Sequence, residues 1–262
     1  MNIIVCVKQV LDTAAKIKLK EGRVDADSIP KILNPYDEYA VEEALRIKEK
    51  FPDTEVTVIS LGPESFRDVL RTALAMGADK AFHLLDSAFQ GLDNLGVARV
   101  LAQAIRSMPI DLILCGRQAV DDDMAQVGPA LAILLDMPFV SVITKLDLSS
   151  DGKSVEVIRQ VEGGSEVVET RLPVLLTCQK GLNQPRLPSL KGIMAAKKKE
   201  IKIMDASAIG FDPASMGTSA NKVKEVEISL PPPRKKGIIL EGSSSEASSQ
   251  LVKILRDEIK VV

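Results

Sequence analysis

Three consecutive carboxylates, Asp121, Asp122 and Asp123, follow an apolar run and a glycine in the stretch ILCGRQAVDDDMAQVGPA, residues 113–130. The apolar run reads as a buried strand, and the residues after Asp123 read as a helix, Met124–Leu135. A loop leaving the carboxyl end of a parallel strand is where α/β proteins bind ligands. Three carboxylates repel a phosphate, but the N–H groups that open the following helix attract one. Arg117 adds a cation, and Gly116 lets the chain turn off the strand. The carboxylates could accept bonds from ribose hydroxyls, cap the helix, or hold Mg²⁺ through water. On residue types alone, a nucleotide site and a plain helix cap are evenly matched.

A second polar helix entrance lies at ILNPYDEYA, residues 32–40. Asn-Pro opens a helix there. Asn34 and Asp37 are capping candidates, and Tyr36 would sit at the rim. Two such entrances on one edge of a parallel sheet make a cleft, the default ligand position. The chain has no G-x-G-x-x-G after its first strand and no G-x-x-x-x-G-K-[ST], so the usual dinucleotide and NTP loops are absent. Cys6, Cys115 and Cys178 lie in apolar runs without metal-ligand spacing and read as buried reduced thiols. Cys6, near a strand end, could line the cleft with its backbone. His83 is the one histidine and reads as a strand-end residue without a catalytic partner. No activated nucleophile is visible, so no catalytic or metal-ligating set is expected. The short basic runs 196–199 and 234–236 read as solvated charge.

The elements that must carry these loops alternate through the first half. Asn2–Val7, Thr54–Gly62, Lys80–Leu85 and Asp111–Gly116 read as strands, the first without polar alternation, as in a doubly covered parallel sheet. Residues 35–50 read as a helix with Asp37 and Glu38 in its first turn and a Glu42–Arg46 pair. A second helix runs from Pro63 to Gly77. A third carries the apolar stripe Leu95, Ala98, Leu101, Ala102 and Ile105. The fold class that follows is α/β, a Rossmann-like parallel sheet with helices on both faces. From Asp136 the helical period vanishes, and turns at Ser149–Gly152 and Gly163–Gly164 separate strands of an antiparallel hairpin add-on. After Gly181 the chain is rich in Pro, Ser and Lys and would bury little apolar area alone. It is expected to be disordered or to lie along another surface. Glu246, Leu251, Ile254, Leu255 and Ile259 then mark an amphipathic helix after serine caps, whose stripe calls for a partner.

The bulk properties exclude several classes. The 262 residues are 45% hydrophobic, only 3% aromatic, lack Trp and carry a net charge of −2. Nothing points to nucleic acid or an acidic membrane. No apolar run approaches the length of a membrane span. The start reads as a first strand rather than a secretory leader, and a cytoplasmic location is expected.

At this point the sequence resembles the beta, or small, subunit of an electron-transfer flavoprotein, over nearly the whole chain. The resemblance is carried by VKQVLDTAAKIK (7–18), NPYDEYAVEEALRIKEK (34–50), RTALAMGADKAFHL (71–84) and GRQAVDDDMAQVGP (116–129). Above all it is carried by VEGGSEVVETRLPVLLTCQKGLNQPRLPSLKGIMAAKKK (161–199). It implies a non-enzymatic carrier subunit paired with a larger alpha subunit that holds the redox FAD. It implies AMP buried against Cys6, Asn34, Pro35, Tyr36, Asp37, Leu61 and the loop Gly116, Arg117, Gln118, Ala119, Val120, Asp121, Asp122, Asp123, Met124, Ala125, Gln126 and Val127. The segments implied are a nucleotide domain, 1–182, a partner-recognition loop, 183–199, and a C-terminal arm around the alpha subunit, 200–262. Leu190, with Ile193 and Met194, would dock an acyl-CoA or similar dehydrogenase, and a quinone oxidoreductase is a further implied partner. Tyr36 matches an aromatic that lies near the flavin in relatives, whereas Thr13 replaces the second, and Leu187–Ser189 depart from the family pattern. Bifurcating relatives carry a second FAD in place of AMP. DDDMAQVGP shares its triple Asp with the AMP type and AQVGP with the bifurcating type. A nucleotide sensor of the universal-stress type is the rival from another class.

Overall fold

A computed structural model describes residues 1–233 and 237–261. The basic run expected at 234–236 lies outside the described residues. The chain divides into a unit Met1–Glu227 and a unit Ile228–Val262.

The first unit is built on nine strands: β1 (Asn2–Cys6), β2 (Glu55–Leu61), β3 (Lys80–Leu84), β4 (Leu112–Gly116), β5 (Phe139–Leu148), β6 (Ser154–Val161), β7 (Gly164–Arg171), β8 (Val174–Cys178) and β9 (Ile201–Met204). Their order across the sheet is β7-β6-β5-β8-β4-β1-β2-β3-β9. Every pairing from β5 to β9 across the sheet is parallel, and β6 pairs antiparallel with both β5 and β7. The expected parallel core and antiparallel add-on are both present. Ile3, Ile4 and Val5 are all buried, because helices cover both faces of the central strands.

The helices are α1 (Pro35–Lys50), α2 (Arg67–Met76), α3 (Asn94–Ile105), α4 (Val127–Leu134) and α5 (Leu190–Lys198). Residues of α1 and α2 pack into one apolar layer with Ile3, Val5, Val56 and Val58. Residues of α3 and α4 pack into the other with Ile4, Ile59, Ile113 and Cys115. Each strand thus sends alternate side chains into opposite layers. Of the stripe read on α3, Ala98, Leu101, Ala102 and Ile105 are buried, and Leu95 in the first turn is half-buried.

The structure corrects the reading in three places. Glu42 does not pair with Arg46. Arg186 takes Glu42 through two bonds, Nε at 2.7 Å and Nη2 at 3.0 Å, while Arg46 lies 3.5 Å from Glu43. A partner far along the chain has won over the i,i+4 neighbour. The helix expected over Met124–Leu135 begins only at Val127, because Asp123 and Ala125 adopt left-handed backbone with φ of 53° each.

The third correction concerns the chain after Gly181, much of which is ordered against the body. β9 extends the sheet beside β3. Ile209 and Phe211 are buried, with the Phe211 ring edge-on to Phe89 at 5.2 Å between centroids. Asp86 accepts the Ala206 N–H, and Asp93 accepts those of Lys222 and Val223. The compact body therefore reaches Glu227 rather than stopping before residue 200. Lys199 is not simply solvated either, since its Nζ donates to the Ala78 carbonyl.

In the second unit, α6 (Ser244–Lys253) opens on a capping box formed by Ser243 and Glu246 and continues as a wider helical turn over Ile254–Ile259. Leu251 and Ile259 remain exposed. No described helix is long and apolar enough to cross a membrane.

Candidate functional site

The connection after β1 runs through α1 to β2 on one side, and α3 returns the chain to β4 on the other side of β1. The sheet therefore has a topological switch point between β1 and β4. There the outgoing loops diverge and leave a crevice at the carboxyl ends of the strands. Cys6 and Cys115 stand in register on the two strands at this point. A cleft with about 820 Å³ of empty space, open to solvent on one side, sits above them.

Its first wall is the N-terminus of α1 with the loop after β4. Asn34 precedes α1 but makes no side-chain bond to the helix N–H groups. Its carboxamide instead donates to Asp37 at 2.8 Å and to the Gln118 carbonyl at 2.9 Å, and accepts from the Val120 N–H at 3.2 Å. It is 1% exposed, so this one amide pins the β4 loop to α1. Gly116 is required by close approach: a Cβ there would lie 2.2 Å from Asp37 Oδ1 and 2.8 Å from the Tyr36 carbonyl carbon.

Asp37 accepts from the Lys8 N–H at 2.7 Å and from the Gly116 backbone. Burial outweighs these bonds and pushes its carboxyl up to about 7. The Cys6 thiol beside it, and then burial, push the Cys115 thiol well above its usual range. Cys115 is therefore a neutral thiol at physiological pH.

The three aspartates do not cap the following helix. Asp121 accepts from Lys8 Nζ at 2.7 Å, and Asp122 lies 3.5 Å from the same nitrogen. Asp122 also accepts the Met124 N–H, and Asp123 accepts from Gln118 Nε2. Their charges are spent on the loop and on Lys8. No side chain caps the first turn of α4, so its opening N–H groups have no partner within the helix. Gln126, Val127 and Gly128 line the cleft there. Left-handed Ala125 followed by right-handed Gln126 turns successive N–H groups to one side, the concavity that favours an anion. The donor set fits a phosphate group.

Of the residues read from the sequence, Cys6, Asn34, Asp37, Leu61, Gly116, Arg117, Gln118, Ala119, Asp122, Ala125, Gln126 and Val127 line the cleft. Pro35, Tyr36, Val120, Asp121, Asp123 and Met124 are outside its lining and build its frame. The sequence reading missed Val7, Lys8, Ile59, Phe66, Asn94, Val97, Leu101, Cys115 and Gly128. Several follow β1 or β2 or open α3, so attention to every loop at the carboxyl edge could have found them. His83 is buried, its Nε2 donates to the Gly62 carbonyl at 3.0 Å, and burial lowers its pKa. It is a neutral core residue.

A separate surface lies on α5. Ser189 caps the helix by accepting from the Gly192 N–H. Gly192 packs so closely on α2 that a Cβ would lie 2.3 Å from the Ala75 carbonyl oxygen. With that face buried, Leu190, Ile193 and Met194 are 75%, 42% and 61% exposed.

The family profile described as the Electron transfer flavoprotein domain matches residues 22–209. The chain is 41% identical to the electron transfer flavoprotein subunit beta of Bacillus subtilis (strain 168), with the whole of both chains covered. It is 44% identical to the protein of the same name from Thermoanaerobacterium thermosaccharolyticum, over 97% of this chain and 98% of the relative. It is 42% identical to the caffeyl-CoA reductase-Etf complex subunit CarD of Acetobacterium woodii, over 98% and 99%. A cleft at the switch point of a parallel sheet and end-to-end similarity to these subunits lead to one conclusion: the chain belongs to the electron transfer flavoprotein family, among its beta subunits.

Proposed function

We propose that this subunit seats one AMP in the switch-point cleft, contacts the edge of the FAD held by its alpha subunit, and docks a dehydrogenase through α5. Membership among the beta subunits implies the alpha-subunit partner. The observation that carries the AMP reading is the uncapped N-terminus of α4 at the cleft, with its free N–H groups suited to a single phosphate. Arg117 lines the same cleft, while Lys8 pairs with Asp121, lies 3.5 Å from Asp122, and offsets one of the neighbouring negative charges. Flavin supplies the electron chemistry when bound. The residues of this chain bind, orient and exclude water. Leu190 is the docking anchor, because a short exposed apolar contact suits transient association.

The decisive experiment is to purify the complex with its alpha subunit and count extracted nucleotides. One FAD and one AMP per heterodimer are expected, and the absence of any adenylate would remove the reading. A second reading, a second FAD in place of AMP, draws on the AQVGP half of the loop and on the similarity to a subunit of a reductase–Etf complex. It requires two flavins per heterodimer. End-to-end similarity to beta subunits favours both readings over a universal-stress-type sensor. For docking, Leu190→Ala should slow electron arrival from the dehydrogenase with nucleotide content unchanged. Unaltered transfer kinetics would take Leu190 out of the role.

A further inference from the structure

The far wall of the cleft has a different chemistry from the phosphate end. Ile59 and Leu61 of β2, with Val97 and Leu101 of α3, share one apolar layer and line the cleft, and Phe66 lines it as well. The Phe66 ring lies directly against Gly62, where a Cβ would stand 2.4 Å from a ring carbon. The absence of a side chain at Gly62 thus sets where the ring rests. One polar side chain interrupts this apolar wall. Asn94, the first residue of α3, lines the cleft and is half-buried. Among the described residues its carboxamide has no hydrogen-bond partner. The helix start does not need it, since Asp93 already caps α3 by accepting the Gly96 N–H at 2.8 Å. Asn34, by contrast, has both amide donors and one acceptor position of its carboxamide engaged.

Resting on the adenylate reading above, we infer that Asn94 is the specificity-determining residue that reads the edge of a purine base seated against this apolar wall. A flat heteroaromatic ring can bury its faces there only if its polar edge finds partners, because an unpaired buried donor or acceptor costs more than the contact returns. A carboxamide presents one donor and one acceptor side by side. It can accept from the exocyclic amine of adenine and donate to the adjacent ring nitrogen, the pattern by which Asn pairs bidentately with adenine. A carboxylate in the same place presents two acceptors and suits guanine, whose ring N–H and exocyclic amine are both donors.

The test uses the nucleotide-stripped heterodimer, with AMP and GMP affinities measured by calorimetry on wild type, Asn94→Leu and Asn94→Asp. Flavin content and subunit assembly serve as controls for folding. Asn94→Leu is expected to weaken AMP roughly 10- to 100-fold. Asn94→Asp is expected to weaken AMP and to shift the GMP-to-AMP preference at least tenfold, on the order of one good bidentate pair, toward GMP. Wild-type binding of AMP with both variants within twofold would overturn the role of Asn94 and leave the adenylate reading standing. A wild-type protein indifferent to AMP would sink the adenylate reading, and this inference with it.

Discussion

At the scale of single residues, Asn34 shows how one buried side chain can join two walls of a cleft. Its donor and acceptor are consumed by the β4 loop and by Asp37. Asn34→Ala leaves the Val120 N–H and the Gln118 carbonyl without their partner. The expected cost is about 1–3 kcal/mol, seen as a lower melting temperature and weaker AMP binding in titration. Asp37 makes a second residue-scale prediction. Its folded pKa of about 7 stands above the ordinary 3.8, so ionisation opposes the folded state. Stability should fall as pH rises from about 4 to about 7 and then level off, by at most about 4 kcal/mol for such a shift. Denaturation of wild type and Asp37→Asn across that range checks this: the variant should lose the slope, and an equal slope would remove Asp37 as its source. Cys6, Asn34 and the glycine at 116 could be read from the sequence as cleft residues. The partners of Asn34 could not, since they lie 84 and 86 positions away.

At the scale of elements, α1 and the strands beside it were legible because their signals are local. Pro35 opens α1, acidic residues fill its first turn, and Lys48 and Lys50 close it. β9 and α5 were not legible, because Ile201 and Ala196 are buried only by contacts with distant strands and helices. The α4 boundary was misread because two left-handed residues interrupt an otherwise helical pattern. The segment before α5 is fixed to α1 by polar contacts. Asn183 donates to the Tyr39 carbonyl and to Glu43, and Arg186 binds both Glu42 and Glu49. Glu42 is 5% exposed, so Arg186→Ala strands a buried carboxylate. Partial exposure of Arg186 tempers the usual cost of breaking a buried pair. A loss of about 2 kcal/mol is expected, measurable by urea denaturation, and a midpoint unchanged from wild type would mean the pair is energetically idle.

At the scale of the whole molecule, the two units differ in how they are held. Met1–Glu227 carries both apolar layers. Ile228–Val262 has no buried residue among those described and leaves Leu230, Ile238, Ile239, Leu251 and Val252 exposed. Such a segment lacks a core of its own, and on the proposed function it is expected to lie on the alpha subunit. A chain ending at Glu227 should keep the thermal transition of the body but fail to co-purify with the alpha subunit. Retained assembly would show that the grip lies elsewhere. The sequence made the amphipathic stripe of α6 visible. It could not show that residues 200–227 belong to the body, because β9, Ile209 and Phe211 find their places only against elements more than a hundred residues earlier.

One rod, α1, abuts the end of β4 at its tip and carries the tether of α5 along its flank. On the roles proposed for the cleft and for α5, a ligand that shifts α1 is expected to be felt at both attachments. Amide exchange across residues 189–198 should therefore slow when AMP is added to the stripped complex, and identical exchange in the two states would show the rod to be slack.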